Sequence, residues 1–205
     1  MSNPVNPGIV EWSGENPGIY LKDHEQGEWL ALAVFFRVAT SPHGRGTGVI
    51  VLGAPQRAEC HPQAPNFCIT DNEPLMRYLV ADFVSRFASF RSAGALAEMP
   101  YLPLTEARIG GDAVTCHEES VCADDLCVTL RWDGLGTPFA VDVPPAMSAT
   151  GEHQMYSVFV EARQASILVD GRPLPGSIVQ RDFLGRRMST GFLALSETWL
   201  RPVGA

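Results

Sequence analysis

The chain has 205 residues, 45% apolar and 19% charged, with a formal net charge of −8. That mix excludes disorder as the main state, and the negative charge argues against nucleic acid or an anionic membrane surface as a partner. No stretch approaches the ~20 apolar residues of a membrane span. The length fits one domain over residues 1–205. Residues 1–18, with Pro4 and Pro7, read as an extended lead-in, and they show no basic segment followed by an apolar one. The expectation is a cytoplasmic protein in which the five cysteines are reduced.

In chain order, residues 28–38 form a long apolar run that ends in the turn residues Thr40, Ser41, Pro42, His43 and Gly44, and a second apolar run follows at 48–52. A helix is expected near residues 72–90. Leu75, Met76, Leu79, Val80, Phe83, Val84 and Phe87 recur with helical period, while Arg77, Asp82, Ser85 and Arg86 take the other face. Its start offers two caps, Thr70 with Glu73 or Asn72 with Pro74, and Asp82 stands four residues before Arg86.

Further strand signals lie at 104–109, 114–118, 126–132, 137–143, 155–162, 165–169, 177–181 and 191–199, separated by turn residues such as Gly110, Gly111, Gly134 and Gly136. About nine or ten antiparallel strands with one amphipathic helix predict a mainly β fold, a β-barrel or a sandwich. Strict alternation in the last strand puts Leu193, Leu195, Glu197 and Trp199 on one face and Phe192, Ala194, Ser196 and Thr198 on the other.

Two dipeptides, Cys60-His61 and Cys116-His117, carry thiolate and imidazole, the usual zinc ligands. Compact zinc sites space a ligand pair by two to four residues, and adjacent residues on a strand point to opposite faces, so no metal site is assigned. The glycines around Arg45 precede a strand rather than a helix, which makes a phosphate loop a poor reading. The acidic segment 118–125 reads as a solvated hairpin loop.

There are 14 arginines and one lysine, Lys22, in a polar run, which leaves little room for lysine covalent catalysis. No nucleophile motif is present. What stands out is ionisable residues set among apolar strand residues, since a truly buried charge must pair or serve a site. Glu161, Glu197, Arg131 and Arg181 are the candidate catalytic residues. Either glutamate would act as acid or base, and either arginine would stabilise developing negative charge. Arg37, Tyr156, Phe159, Trp132 and Trp199 are the candidate ligand-binding residues.

The expected function is binding of a small, largely apolar organic molecule, with cofactor-independent acid–base chemistry of the isomerase, cyclase or decarboxylase type. A non-catalytic, homodimeric assembly module is the alternative, and a zinc enzyme using Cys60, His61, Cys116 and His117 is the third.

Overall fold

A strand with one wet face alternates apolar and polar residues, whereas one covered on both faces can be apolar throughout. The run Leu32, Ala33, Val34, Phe35 and Phe36 is of the second kind, and all five residues are buried. The computed structural model, which describes residues 7–57 and 65–203, shows the two covering layers.

Strands β1 (Gly8–Glu15) and β2 (Gly18–Lys22) lie end to end beside β3 (Trp29–Thr40), and β4 (Gly46–Leu52) and β5 (Asn66–Thr70) extend the sheet by antiparallel pairing. Helices α1 (Glu73–Asp82) and α2 (Ala95–Glu98) follow, and β6 (Tyr101–Pro103) closes the edge in parallel with β5. A second sheet begins with β7 (Glu106–Gly111), β8 (Cys116–Ala123) and β9 (Leu126–Asp133). β10 (Phe139–Val143) and β11 (Gln154–Glu161) return to the first sheet, while β12 (Gln164–Val169) and β13 (Arg172–Pro173) complete the second. β14 (Gln180–Phe183) and β15 (Arg186–Ser189) pair only with each other, and β16 (Gly191–Pro202) runs back between β11 and β1.

The larger sheet has nine strands and ends at β10 and β6; it stays open, so the fold is sandwich-like rather than a closed barrel. One face packs Ile19, Ala33, Phe35, Val49 and Val51 against Val121, Val128, Leu130, Trp132 and Ile167 of the five-stranded sheet. The opposite face packs Leu32, Val34, Phe36 and Ile50 against Leu75, Met76, Leu79 and Phe83 of the helical segment. The result is three layers.

Several expectations are refined or corrected. Within the extended lead-in, residues 8–15 form a strand paired with β16 and β3. The helix starts as expected at Asn72, whose side chain accepts from the Leu75 N–H at 3.1 Å, with Pro74 in the first turn. It ends earlier than its apolar pattern does. At Phe83 the backbone leaves helical geometry so that the ring packs edge-on to Trp12, Tyr78 and Trp199, and only a 3₁₀ turn, Val84–Arg86, continues. Arg86 therefore pairs with Glu152 at 3.0 Å instead of with Asp82.

The acidic segment is mostly strand rather than loop. Glu119 is 2% exposed and takes both oxygens to Arg37 Nη2, at 2.9 and 2.8 Å. Only Asp124 and Asp125 form the turn, with Asp124 at φ 50°. Across that turn Cys122 and Cys127 are register partners and are joined by a disulfide, which corrects the expectation of five reduced thiols. The tryptic peptide spanning 109–131 holds Cys116, Cys122 and Cys127. Without reduction its mass will be lower by the two thiol hydrogens, and alkylation will label Cys116 alone. Three labelled thiols in this peptide would show that the pair is reduced.

Candidate functional site

A β-bulge builds the site. On β16, Ser196 adopts φ 53°, and the register against β11 shifts between Tyr156 and Val158, so that one residue of β11 faces two of β16. The extra residue reverses the alternation. Leu193 and Leu195 remain against the five-stranded sheet, but Glu197 and Trp199 join Phe192 on the helical side, where strict alternation would have separated them. The left-handed conformation costs a non-glycine residue about 1 kcal/mol. The exposed Ser196 side chain has little to offset it.

Between the nine-stranded sheet and the layer above it lies a cavity of about 330 Å³. Tyr20 and Phe192 rise from the sheet, Phe159 and Met155 from β11, Phe87 from the helical segment, and Arg181, Phe183 and Leu184 from the β14–β15 hairpin. Gly18 permits this packing, since a Cβ there would sit 2.9 Å from the Phe192 ring and 3.1 Å from the Tyr20 hydroxyl. The hairpin turns at Leu184 and Gly185, both at positive φ, and Leu184 and Met147 stand exposed at the cavity's edge.

Glu197 is 3% exposed. Its Oε1 accepts from the Trp199 indole Nε1 at 2.7 Å and from Asn16 Nδ2 at 3.1 Å. Burial pushes its carboxyl up to about 7, against the opposing pull of these donors. An acid with that value can both give and take a proton near neutral pH. Asn16 is itself buried in the cavity wall, and its Oδ1 has no hydrogen-bond partner. Burial likewise raises the Tyr20 phenol to about 12, so it stays protonated.

Arg181 stands on the opposite wall. Its guanidinium carbon lies 5.3 Å from the Tyr20 and Phe192 ring centres and 5.5 Å from that of Phe183. Burial holds its pKa below the usual guanidinium value.

The structure thus brings Glu197, Arg181, Phe159 and Trp199 to one cavity, and it places the other candidates elsewhere. Glu161 lies in a second, more polar cavity of about 440 Å³, where its carboxylate takes Arg186 Nη2 at 2.8 Å and the Ser189 N–H at 3.0 Å. It holds the base of the hairpin. Arg37 joins the two sheets through Glu119 and pairs with Glu15, its neighbour on β1, within its own sheet. Arg131 is on the outer surface with Asp133 and Glu118. Trp132 is fully buried between the sheets, its indole donating to the Gly18 carbonyl at 3.1 Å. Tyr156 is half-buried on β11, with the opposite parity to Met155 and Phe159.

Cys116 and His117 follow each other on β8, and the imidazole sits 3.0 Å from Glu119. Cys60 and His61 lie outside the described residues. No group of three metal-ligating side chains occurs among the described residues, and no helix among them is long and apolar enough to cross a membrane. Sequence reasoning missed Asn16, Tyr20 and Phe192, because Asn16-Pro17-Gly18 looks like loop punctuation and Phe192 shares no parity with Glu197.

Below about pH 4.5 Glu197 is protonated in both folded and unfolded chains. As pH rises to about 7 the unfolded carboxyl ionises while the folded one keeps its proton, so its contribution to stability is lost across that window. The loss is on the order of 3 kcal/mol. Urea unfolding from pH 4.5 to 8 should show Glu197→Gln gaining that much relative to wild type; parallel curves would show that Glu197 is not a buried acid. Ser196→Gly should stabilise the protein by up to about 1 kcal/mol in the same assay, and a destabilised variant would refute the strained bulge. Compared with known proteins, the chain matches no family model, no curated protein and no solved structure, so the functional reading comes from the cavity itself.

Proposed function

We propose that the protein binds a small, largely apolar organic molecule in the cavity between sheet and hairpin, and that it acts on the molecule by acid–base chemistry. One observation carries the reading: a buried carboxyl poised near neutral pH opens onto an aromatic cavity. Glu197 would move a proton to or from a carbon or oxygen of the substrate. Arg181 would steady the negative charge that develops on an enolate-like intermediate. Such a step rearranges protons and bonds with no change in overall oxidation state, as in isomerisation, cyclisation or decarboxylation, so it calls for no redox cofactor.

The alternative, a homodimeric assembly module, has Ile109 and Val114 in its favour, exposed apolar residues at the β7–β8 hairpin. A cytoplasmic setting has the Cys122–Cys127 disulfide against it, since such bonds persist chiefly in oxidising compartments.

Native mass spectrometry of gently purified protein, set against its denatured mass, should reveal an additional organic mass on each chain. On the released molecule or its analogues, Glu197→Gln should reduce turnover by about 10²- to 10⁴-fold with the fold intact. Full activity in that variant would remove Glu197 from the chemistry. A bare chain found only as a dimer would favour the assembly module.

A further inference from the structure

An arginine taken out of water is costly unless an anion compensates it. Among the described residues, Arg37, Arg77, Arg86, Arg108, Arg131, Arg186, Arg187 and Arg201 each pair with a carboxylate. Arg45, Arg57, Arg91, Arg163 and Arg172 are exposed. Arg181 is the exception: it is half-buried, it has no ion pair among the described residues, and its Nε is fully buried without a hydrogen-bond partner. Three aromatic rings surround the guanidinium, and cation–π attraction replaces only part of its lost hydration.

The neighbouring carboxyl does not supply the missing charge. Glu197 directs Oε1 to Trp199 and Asn16, and its burial favours the neutral form. Asp182, the next residue along the hairpin, is exposed and accepts from the Gly185 N–H in the turn. The cavity is therefore lined by two arginines without a carboxylate partner, of which Arg91 is exposed and donates to the Arg86 and Ala149 carbonyls, while Arg181 alone is withdrawn from water between aromatic walls. Its complement is a single planar anion on an apolar body. A guanidinium matches a carboxylate through two parallel N–H···O bonds and one charge against one, whereas a phosphate brings a second negative charge that a single buried guanidinium leaves unmatched.

We infer that the ligand of this cavity is a small organic carboxylate whose head pairs with the Arg181 guanidinium while its apolar body lies against Phe159 and Trp199. The inference rests on the proposed binding role of the cavity and names the class of molecule it takes. It also assigns Arg181 the part of ligand anchor.

Calorimetric titration with a matched pair of probes, naphthalene-2-carboxylate and naphthalene-2-methanol, separates the two claims. Wild type should bind the carboxylate at least about tenfold more tightly than the alcohol, as expected for a charge-assisted bidentate pair. In Arg181→Met the preference should vanish, with the carboxylate binding no more tightly than the alcohol. Arg181→Lys, which keeps the charge but not the fork, should retain part of the preference and covers the case in which the methionine variant does not fold. Equal binding of both probes by wild type would overturn the carboxylate assignment and leave the cavity reading standing. Binding of neither probe would overturn both.

Discussion

A β-strand sends successive side chains to opposite faces, and the site depends on the one place where β16 breaks that rule. Without the extra residue at Ser196, a strand that sends Phe192 to the cavity would send Glu197 and Trp199 away from it, between the two sheets. There an acid would meet Leu193, Leu195 and Trp132 with no donor prepared for it. The bulge instead places the carboxyl beside the Trp199 indole and Asn16. The same shift sets Trp12 opposite Trp199, where their rings stack at 6.3 Å and close the apolar floor beneath the acid. Backbone strain at one exposed serine is offset by the packing of two tryptophans and by a satisfied carboxyl oxygen.

The other buried acid has a different task. Glu119, on the smaller sheet, meets Arg37 on the larger with two hydrogen bonds, and His117 and Glu15 complete the cluster. Replacing such a pair with apolar residues could be neutral or stabilising, while removing one partner alone strands a charge. The pair instead ties one residue of the larger sheet to one of the smaller, and this contact is lost if the sheets slide on each other. Glu197 and Glu119 show how equal burial gives different chemistry. One carboxylate has a cation at 2.8 Å, and the other has only neutral donors.

The mainly β class, the cap at Asn72 and most strand centres are legible in the sequence because they rest on local chemistry: alternation, turn residues and a side-chain acceptor. The two-faced burial of β3 is legible too, as an unbroken apolar run. The bulge is not. Bulges of this kind usually announce themselves with glycine, and Ser196 looks like any outward-facing strand residue. The early end of α1 is equally hidden, since Phe83 keeps the helical apolar period and leaves the helix only to satisfy rings from β1 and β16. Arg37 and Arg131 both sit among apolar neighbours in sequence. Which of them is buried depends on whether a second sheet covers that face, and no local pattern records it.

The Cys122–Cys127 bond reaches further than the turn it closes. A hairpin can slide by a residue only if its strands part, and a covalent tie between directly opposed residues forbids that movement. In this hairpin a one-residue slip of β8 along β9 would turn Val121 and Glu119 from the interior to the surface while Val128, Leu130 and Trp132 of β9 stayed inside. The sulfur bridge therefore acts as a clamp on alignment, fixing at one tip of the molecule which acid on the smaller sheet meets Arg37 on the larger.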